Sequence, residues 1–275
     1  MIIDGKKMAS LIKADLARQA TGRNLCLGVI QVGDNPVSSR YVARKQQLGE
    51  EIGVAVQIFE FPAEITETDL MSEVEQLAER ASLQGLIIQL PLPVHLNETK
   101  ILNLIPPAKD VDALGSDPRV LNPTVSAIRE ILAFGQVKLA GRAVVVLGRG
   151  KLVGRPAAIW LTQEGALVEV ISSQTVDPAA RLILADIIVS GVGKTGLIKP
   201  TMIKDGVVLV DAGTSESGGQ LRGDADPACA EKCALFTPVP GGVGPLTVAM
   251  LFKNLLELNR PPRTVLERPL KDGPR

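Results

Sequence analysis

The chain has 275 residues, 45% of them apolar, and its 30 Lys plus Arg balance 30 Asp plus Glu. That length serves one large domain or two ordinary ones. Zero formal charge speaks against a nucleic-acid binder or a membrane-surface protein, both of which carry a basic excess. No apolar run approaches the roughly 20 residues of a membrane helix, and MIIDGKKMAS lacks the apolar stretch of a signal peptide, so a cytoplasmic protein is expected.

Residues 7–20 space their apolar side chains near 3.6 and predict a helix. LCLGVIQV (25–32) predicts a buried strand ending in the turn GDNP. A helix over 36–52 follows, with Pro36 in its first turn. VAVQIFEF (54–61) predicts a strand. TETDLMSEVEQLAERAS predicts a helix capped by Thr66 or Thr68. GLIIQL (85–90) predicts a strand closed by Pro91 and Pro93. A second unit begins near Asn122, where NPTVSAIREILAFG predicts a helix stopped by Gly135. AVVVLG (143–148) is continuously apolar, as in a strand covered on both faces, and runs through a glycine turn into a helix containing Trp160. LVEVIS (167–172), DIIVSG (186–191) and VVLVDAG (207–213) predict further strands. The stretch from Asp205 to Asp226 predicts turns, TPVPGGVGP (237–245) a rigid loop, and Leu246 to about Leu258 a helix. Strand–helix alternation predicts an α/β fold with mostly parallel sheet.

Rare residues narrow the chemistry. There is one His (His95), one Tyr (Tyr41), one Trp (Trp160) and three Cys (Cys26, Cys229, Cys233). No set completes a zinc or iron site, so no metal is expected. Cys229 and Cys233, spaced i, i+4, read as small buried side chains that could share a helix face. No G-x-S-x-G elbow accompanies His95. Acid–base work at neutral pH falls to Lys, Tyr or a carboxylate.

VVVLGRGKLVG reads as strand, glycine turn, helix, with Gly148 and Gly150 allowing a tight turn and Gly154 close helix packing. Free N–H groups at the helix start suit a pyrophosphate. The spacing G-x-G-x-x-x-G departs from the strict dinucleotide fingerprint. A NAD-selective fold places a carboxylate at the end of the next strand, but here that strand ends Ile171-Ser172-Ser173. Arg149 in the turn could meet a 2′-phosphate, which favours NADP, with NAD possible; otherwise Arg149 and Lys151 are solvated charges.

Five segments carry a resemblance. NPVSSRYVARK (35–45), GLIIQLPLP (85–93), PAKDVDA (107–113), LGRGKLVGRP (147–156) and TPVPGGVGPLTVAML (237–251) resemble, in order, the motifs of the bifunctional methylenetetrahydrofolate dehydrogenase/methenyltetrahydrofolate cyclohydrolase (FolD) family. The resemblance implies two domains, a tetrahydrofolate-binding domain at 1–121 and a Rossmann NAD(P)-binding domain at 122–258, with a cleft between them and a C-terminal tail at 259–275. It implies that the helix after TPVPGGVGP packs across the junction, and that the chain forms a homodimer through its Rossmann domains, where EVISSQT could supply an exposed edge. It implies oxidation of 5,10-methylenetetrahydrofolate to the methenyl form with NADP, then hydrolysis to 10-formyltetrahydrofolate, in one-carbon metabolism and purine biosynthesis. The partners are then tetrahydrofolate derivatives alone, with no nucleic acid and no membrane.

The resemblance also implies residue roles. Lys45 matches the catalytic lysine. An ordinary lysine is a poor base at neutral pH, and bringing it near neutrality takes roughly 4 kcal/mol of help for the neutral form. Tyr41, one turn earlier on the same face, would flank the folate. Gln89 would orient the lysine, and Asp112 would bind the pterin's amino-pyrimidine edge through paired N–H bonds. Pro240, Gly241 and Gly242 would let the backbone approach the substrate. The cofactor would meet Gly148, Arg149, Gly150, Val153, Gly154, Ser172, Ser173, Gly191, Gly193 and Thr214. The chain departs from the family at Ala113, where the family has glycine, so this backbone is strained or the loop differs. It departs again at 122–127, at Ser172 (family histidine), at Gly150 (family serine), and at Asp211-Ala212-Gly213-Thr214-Ser215. Two alternatives stand beside this reading: a dehydrogenase for another small substrate, and a binding paralogue without turnover.

Overall fold

The computed structural model describes residues 1–217 and 220–260. In chain order these form α1 (Gly5–Ala20), β1 (Cys26–Val32), α2 (Pro36–Ile52), β2 (Ala55–Phe61), α3 (Glu67–Glu79), β3 (Gly85–Ile88), α4 (Glu98–Leu102), α5 (Pro123–Phe134), β4 (Ala143–Leu147), α6 (Gly154–Gln163), β5 (Leu167–Ile171), α7 (Pro178–Leu182), β6 (Ile187–Ser190), β7 (Val207–Asp211), β8 (Ser215–Ser217), β9 (Gln220–Arg222), β10 (Cys233–Phe236) and α8 (Val243–Leu258). The first three strands pair in parallel in the order β2-β1-β3, and a second parallel sheet runs β10-β7-β6-β4-β5. The inner strands are buried along nearly their whole length, as expected of parallel sheet with helices on both faces. The fold is therefore α/β, with two parallel sheets.

The helix boundaries follow local chemistry. Thr66 caps α3 by accepting the Asp69 N–H, which decides between Thr66 and Thr68. Asn122 caps α5 through Thr124 and Val125, with Pro123 in the first turn. Residues 1–3 leave the first sheet altogether. Ile3 donates to the Phe236 carbonyl at 2.9 Å and Phe236 donates to Met1 at 2.9 Å, so the N-terminus extends the second sheet beyond β10.

Helix α8 joins the two halves. Val243, Leu246 and Met250 enter the core over the second sheet, where Ile3 also lies. Leu251, Phe252 and Leu255 enter the core under the first. A helix apolar on every side must be covered on every side, and α8 is covered by α1, α2 and α5.

Several local expectations are corrected. Cys229 and Cys233 share no helix face: Cys229 lies in a 3₁₀ turn (Pro227–Glu231) and Cys233 opens β10, although both are buried. The four residues of β10 are too few to show a period. Helix α8 starts at Val243 rather than Leu246, with Pro245 in its first turn, where no intrahelical donor is lost. Part of the expected turn region pairs as the β8–β9 hairpin. Strand β3 stops at Ile88, so Gln89 lies just beyond it while still donating its N–H to Ile30 at 2.8 Å. Most of the tail lies outside the described residues.

Candidate active site

The two sheets face an open cleft of about 1100 Å³. Its walls come from the carboxyl ends of parallel strands, where backbone diverges and ligands of α/β folds sit.

On the first wall, α2 brings Tyr41 and Lys45 to the cleft one turn apart, and β3 delivers Gln89. Lys45 is only 8% exposed. Its Nζ donates to Gln89 Oε1 at 2.8 Å, while Gln89 Nε2 donates to the Leu90 carbonyl at 2.8 Å. The amide is thereby held with its oxygen toward the amine. Burial lowers the Lys45 ammonium below its ordinary range, opposed by the attraction of Asp112. Burial pushes the Asp112 carboxyl up to about 6, with Lys45 pulling it down and Asp110 pushing it further up. An amine with a lowered pKa beside a carboxyl with a raised one gives up or takes a proton more readily than either group does in water. Arg44 lies over the Tyr41 ring at 5.6 Å.

The loop carrying Asp112 is fastened from several sides. Buried Asp110 accepts the Gly115 N–H at 2.8 Å, with further N–H contacts from 112–114. Asn122 Nδ2 donates to the Asp112 carbonyl at 3.1 Å. Asn254, buried on α8, donates to the Val111 and Leu121 carbonyls at 2.8 and 2.9 Å. These bonds hold Ala113 at φ +54°, left-handed backbone that favours glycine. Of the two options read from the sequence, the strained one is realised.

The second wall begins at the turn after β4. Gly148 takes φ +99°. A Cβ on Gly154 would fall 2.1 Å from the Gly148 carbonyl oxygen, so the helix start presses directly on the turn. Gly150 has open space and no left-handed φ, so the turn does not require glycine there, contrary to expectation. Gly148 donates to the Ile171 carbonyl at 2.9 Å, which places Arg149 beside the strand end that leads into Ser172-Ser173. Arg149 is exposed and has no hydrogen bond or ion pair among the described residues. Lys151 is not a free solvated charge: its Nζ meets Glu98 at 3.0 Å and Thr99 at 2.8 Å on α4. A second cross-cleft ion pair joins Arg40 of α2 to Glu216 of β8. The dinucleotide features fit this wall: a close glycine approach, a free guanidinium, hydroxyls in place of the ribose-binding carboxylate, and backbone N–H groups at the start of α6.

Tyr41, Lys45, Gln89, Asp112, Val153, Gly191, Gly193, Thr214, Pro240, Gly241 and Gly242 all line the cleft. Gly148, Arg149, Gly150, Gly154, Ser172 and Ser173 are not among its lining residues and cluster at the adjoining ends of β4 and β5. Sequence reasoning missed the supports: Asp110, Asn254, Asp211 and Asp224 are all buried polar groups. Asn122 was read only as the start of the second unit; neither its capping of α5 nor its bond to Asp112 was legible.

Two family models match the chain: "Tetrahydrofolate dehydrogenase/cyclohydrolase, catalytic domain" over residues 3–112 and "Tetrahydrofolate dehydrogenase/cyclohydrolase, NAD(P)-binding domain" over 122–261. A protein of Nautilia profundicola named Bifunctional protein FolD is 38% identical, covering 93% of this chain and 96% of its own. The solved FolD methylenetetrahydrofolate dehydrogenase/cyclohydrolase of Campylobacter jejuni superposes with TM-score 0.90 at 33% identity, covering 94% of this chain and 98% of its own. The Trypanosoma brucei FolD, solved with NADP cofactor and inhibitor, gives TM-score 0.88 at 35% identity, covering 94% and 96%.

Proposed function

The chain belongs to the tetrahydrofolate dehydrogenase/cyclohydrolase family, and from its cleft we infer how it works as a bifunctional enzyme of one-carbon metabolism. It oxidises 5,10-methylenetetrahydrofolate to the methenyl cation with NADP, and hydrolyses that cation to 10-formyltetrahydrofolate. The observation that carries the assignment of roles is the Lys45–Gln89 hydrogen bond at 2.8 Å, formed inside the cleft that Asp112 also lines.

NADP, when bound, supplies the hydride acceptor. The protein's part in oxidation is to hold the folate's one-carbon bridge against it, which is alignment rather than acid–base work. Tyr41 flanks the folate, and Asp112 accepts paired N–H bonds from the amino-pyrimidine edge. Gly148, Val153 and Gly154 would shape the turn that holds the pyrophosphate, and Arg149, Ser172 and Ser173 would receive the 2′-phosphate. Gly191, Gly193 and Thr214 would border the nicotinamide, and Pro240, Gly241 and Gly242 would let the backbone approach both ligands.

In hydrolysis, water adds to the methenyl carbon, one proton leaves, and the ring C–N bond opens to leave the formyl group on N10. Lys45 takes and returns the protons at its Nζ; its lowered pKa, with a cationic substrate beside it, favours the neutral amine. Gln89 orients that amine. Residues 1–121 act as the folate domain and 122–258 as the NADP domain. The chain works in the cytoplasm as a homodimer, for which β5, the outer strand of its sheet with Leu167 exposed, offers the open edge.

The test is a spectroscopic assay of methylenetetrahydrofolate oxidation with NADP and with NAD, then of methenyltetrahydrofolate hydrolysis without cofactor. Both activities, with NADP preferred, are expected. Faster turnover with NAD would remove the role given to Arg149. Cofactor binding without turnover would identify a binding paralogue.

A further inference from the structure

Two buried carboxylates behind the cofactor wall take no part in the chemistry above. Asp211 ends β7 and is 1% exposed; Asp224 follows the β8–β9 hairpin and is 0% exposed. Among the described residues, neither forms an ion pair with a cation. Asp224 Oδ2 accepts the Ser190 hydroxyl at 2.6 Å and the Val192 N–H at 2.8 Å, and Oδ1 accepts the Lys194 N–H at 2.7 Å. Asp211 Oδ1 accepts the Gly213 N–H at 2.9 Å and Oδ2 the Ala225 N–H at 2.8 Å.

The two acids interlock. A Cβ on Gly213 would fall 2.2 Å from Asp224 Cγ, and one on Gly223 would fall 2.2 Å from Asp211 Oδ2. Gly223 directly precedes Asp224 and Gly213 lies two residues after Asp211, and each leaves room for the other aspartate. The loop after β6 and the loop after β7 are therefore both set by where the Asp224 carboxylate lies, and these loops supply Gly191, Val192, Gly193, Gly213 and Thr214 to the cleft.

We propose that Asp224 is a positioning residue for the dehydrogenase half-reaction: by gathering Ser190, Val192 and Lys194 it holds the two loops in the shape that accepts the nicotinamide end of NADP. The inference rests on the cofactor reading given above. A carboxylate suits the task because it accepts three N–H or O–H donors at once without offering one of its own. Charge-assisted bonds of this kind are the stronger class. Asparagine keeps the volume but turns one acceptor into an NH₂ donor, which then faces either the Lys194 N–H or the Ser190–Val192 pair. Nothing in the cluster touches Lys45, Gln89 or Asp112, so cofactor-independent hydrolysis does not depend on it.

The test uses the full chain as wild type, Asp224→Asn and the milder Ser190→Ala. The readouts are NADP affinity by calorimetry, methenyltetrahydrofolate hydrolysis without cofactor, and amide exchange. Asp224→Asn is expected to weaken NADP about tenfold or more and Ser190→Ala about threefold, in line with the loss of charge-assisted bonds. Hydrolysis should stay within about twofold in both variants, and exchange should quicken at Val192 and Lys194 while β4 stays protected. Unchanged NADP affinity in folded Asp224→Asn overturns the proposal. So does a parallel fall of NADP affinity and hydrolysis with protection lost throughout, which marks a scaffold role. If Asp224→Asn does not fold, Ser190→Ala decides by the same criteria. A wild type that fails to bind NADP overturns the cofactor reading itself, and is told apart because no variant is needed to see it.

Discussion

Replacing Lys45 by methionine separates the two chemistries of the cleft. Methionine keeps an unbranched chain of similar length and removes the ionisable nitrogen. General acid–base catalysis by a positioned group is worth about 10²–10⁴-fold, or about 3–5 kcal/mol of barrier, and hydrolysis should fall by that amount. The cost to folding should be small, because two terms oppose each other. Gln89 Oε1 loses its 2.8 Å donor, and a buried carbonyl left without a partner costs about 1–3 kcal/mol. Removing an amine that is only 8% exposed returns the cost of desolvating it. Stability should therefore change by less than about 2 kcal/mol, a few degrees in Tm for a chain of this size. The assay is loss of methenyltetrahydrofolate absorbance in buffer without cofactor, with a melting curve on the same sample. A folded Lys45→Met that hydrolyses within tenfold of wild type would refute the assignment of proton transfer to this nitrogen.

Ala113→Gly relieves left-handed backbone at φ +54°, and should raise stability by about 1 kcal/mol with a Tm gain of a few degrees and no loss of activity; an unchanged or lower Tm would mean that the loop is not strained. Asp112, with its carboxyl pushed up to about 6, is ionised above that pH and protonated below it. The folate KM should therefore climb as pH falls through 6, and Asp112→Asn should show a high KM that is flat in pH. Arg149→Ala should weaken NADP by about ten- to a hundredfold, the worth of one or more charge-assisted bonds, and leave NAD binding unchanged; equal loss for both cofactors would place Arg149 elsewhere than on the 2′-phosphate.

Elements whose signal is local were legible in the sequence. Helix α2 was placed at its observed bounds because Pro36 marks its first turn within one continuous segment. Strand β4 was found because all five residues are apolar. Tyr41 and Lys45 could be set on one face because i and i+4 always are. The residues that were missed work through distant partners. Asn254 supports the Asp112 loop from 143 residues away, and Asp224 reaches Ser190 across 34. An aspartate in a Gly-rich stretch reads as a turn, and only the fold shows that this one is buried and surrounded by donors. Strand β10 belongs with these, since its pairing with β7 and with the N-terminal residues is long-range.

The two walls differ in kind, and the difference explains how one cleft serves two reactions. The first wall holds the ionisable pair Lys45 and Asp112, with Gln89 hydrogen-bonded to the lysine, drawn from α2, the end of β3 and a loop pinned by Asp110. The second wall presents mainly backbone, including Gly191, Gly193 and Gly213, and adjoins the turn that carries the exposed Arg149. On the proposed assignment of roles, hydrolysis needs only the first wall, where Lys45 lies. Oxidation needs both, held at a fixed separation. Helix α8 sets that separation by packing into the core of each half, and the Lys151–Glu98 and Arg40–Glu216 pairs span the gap at its surface. Exposed pairs of this sort contribute little stability, typically under about 1 kcal/mol. Breaking Lys151–Glu98 should therefore leave Tm nearly unchanged and slow oxidation more than hydrolysis. An equal effect on both rates would mean that the spacing of the walls is set by α8 alone.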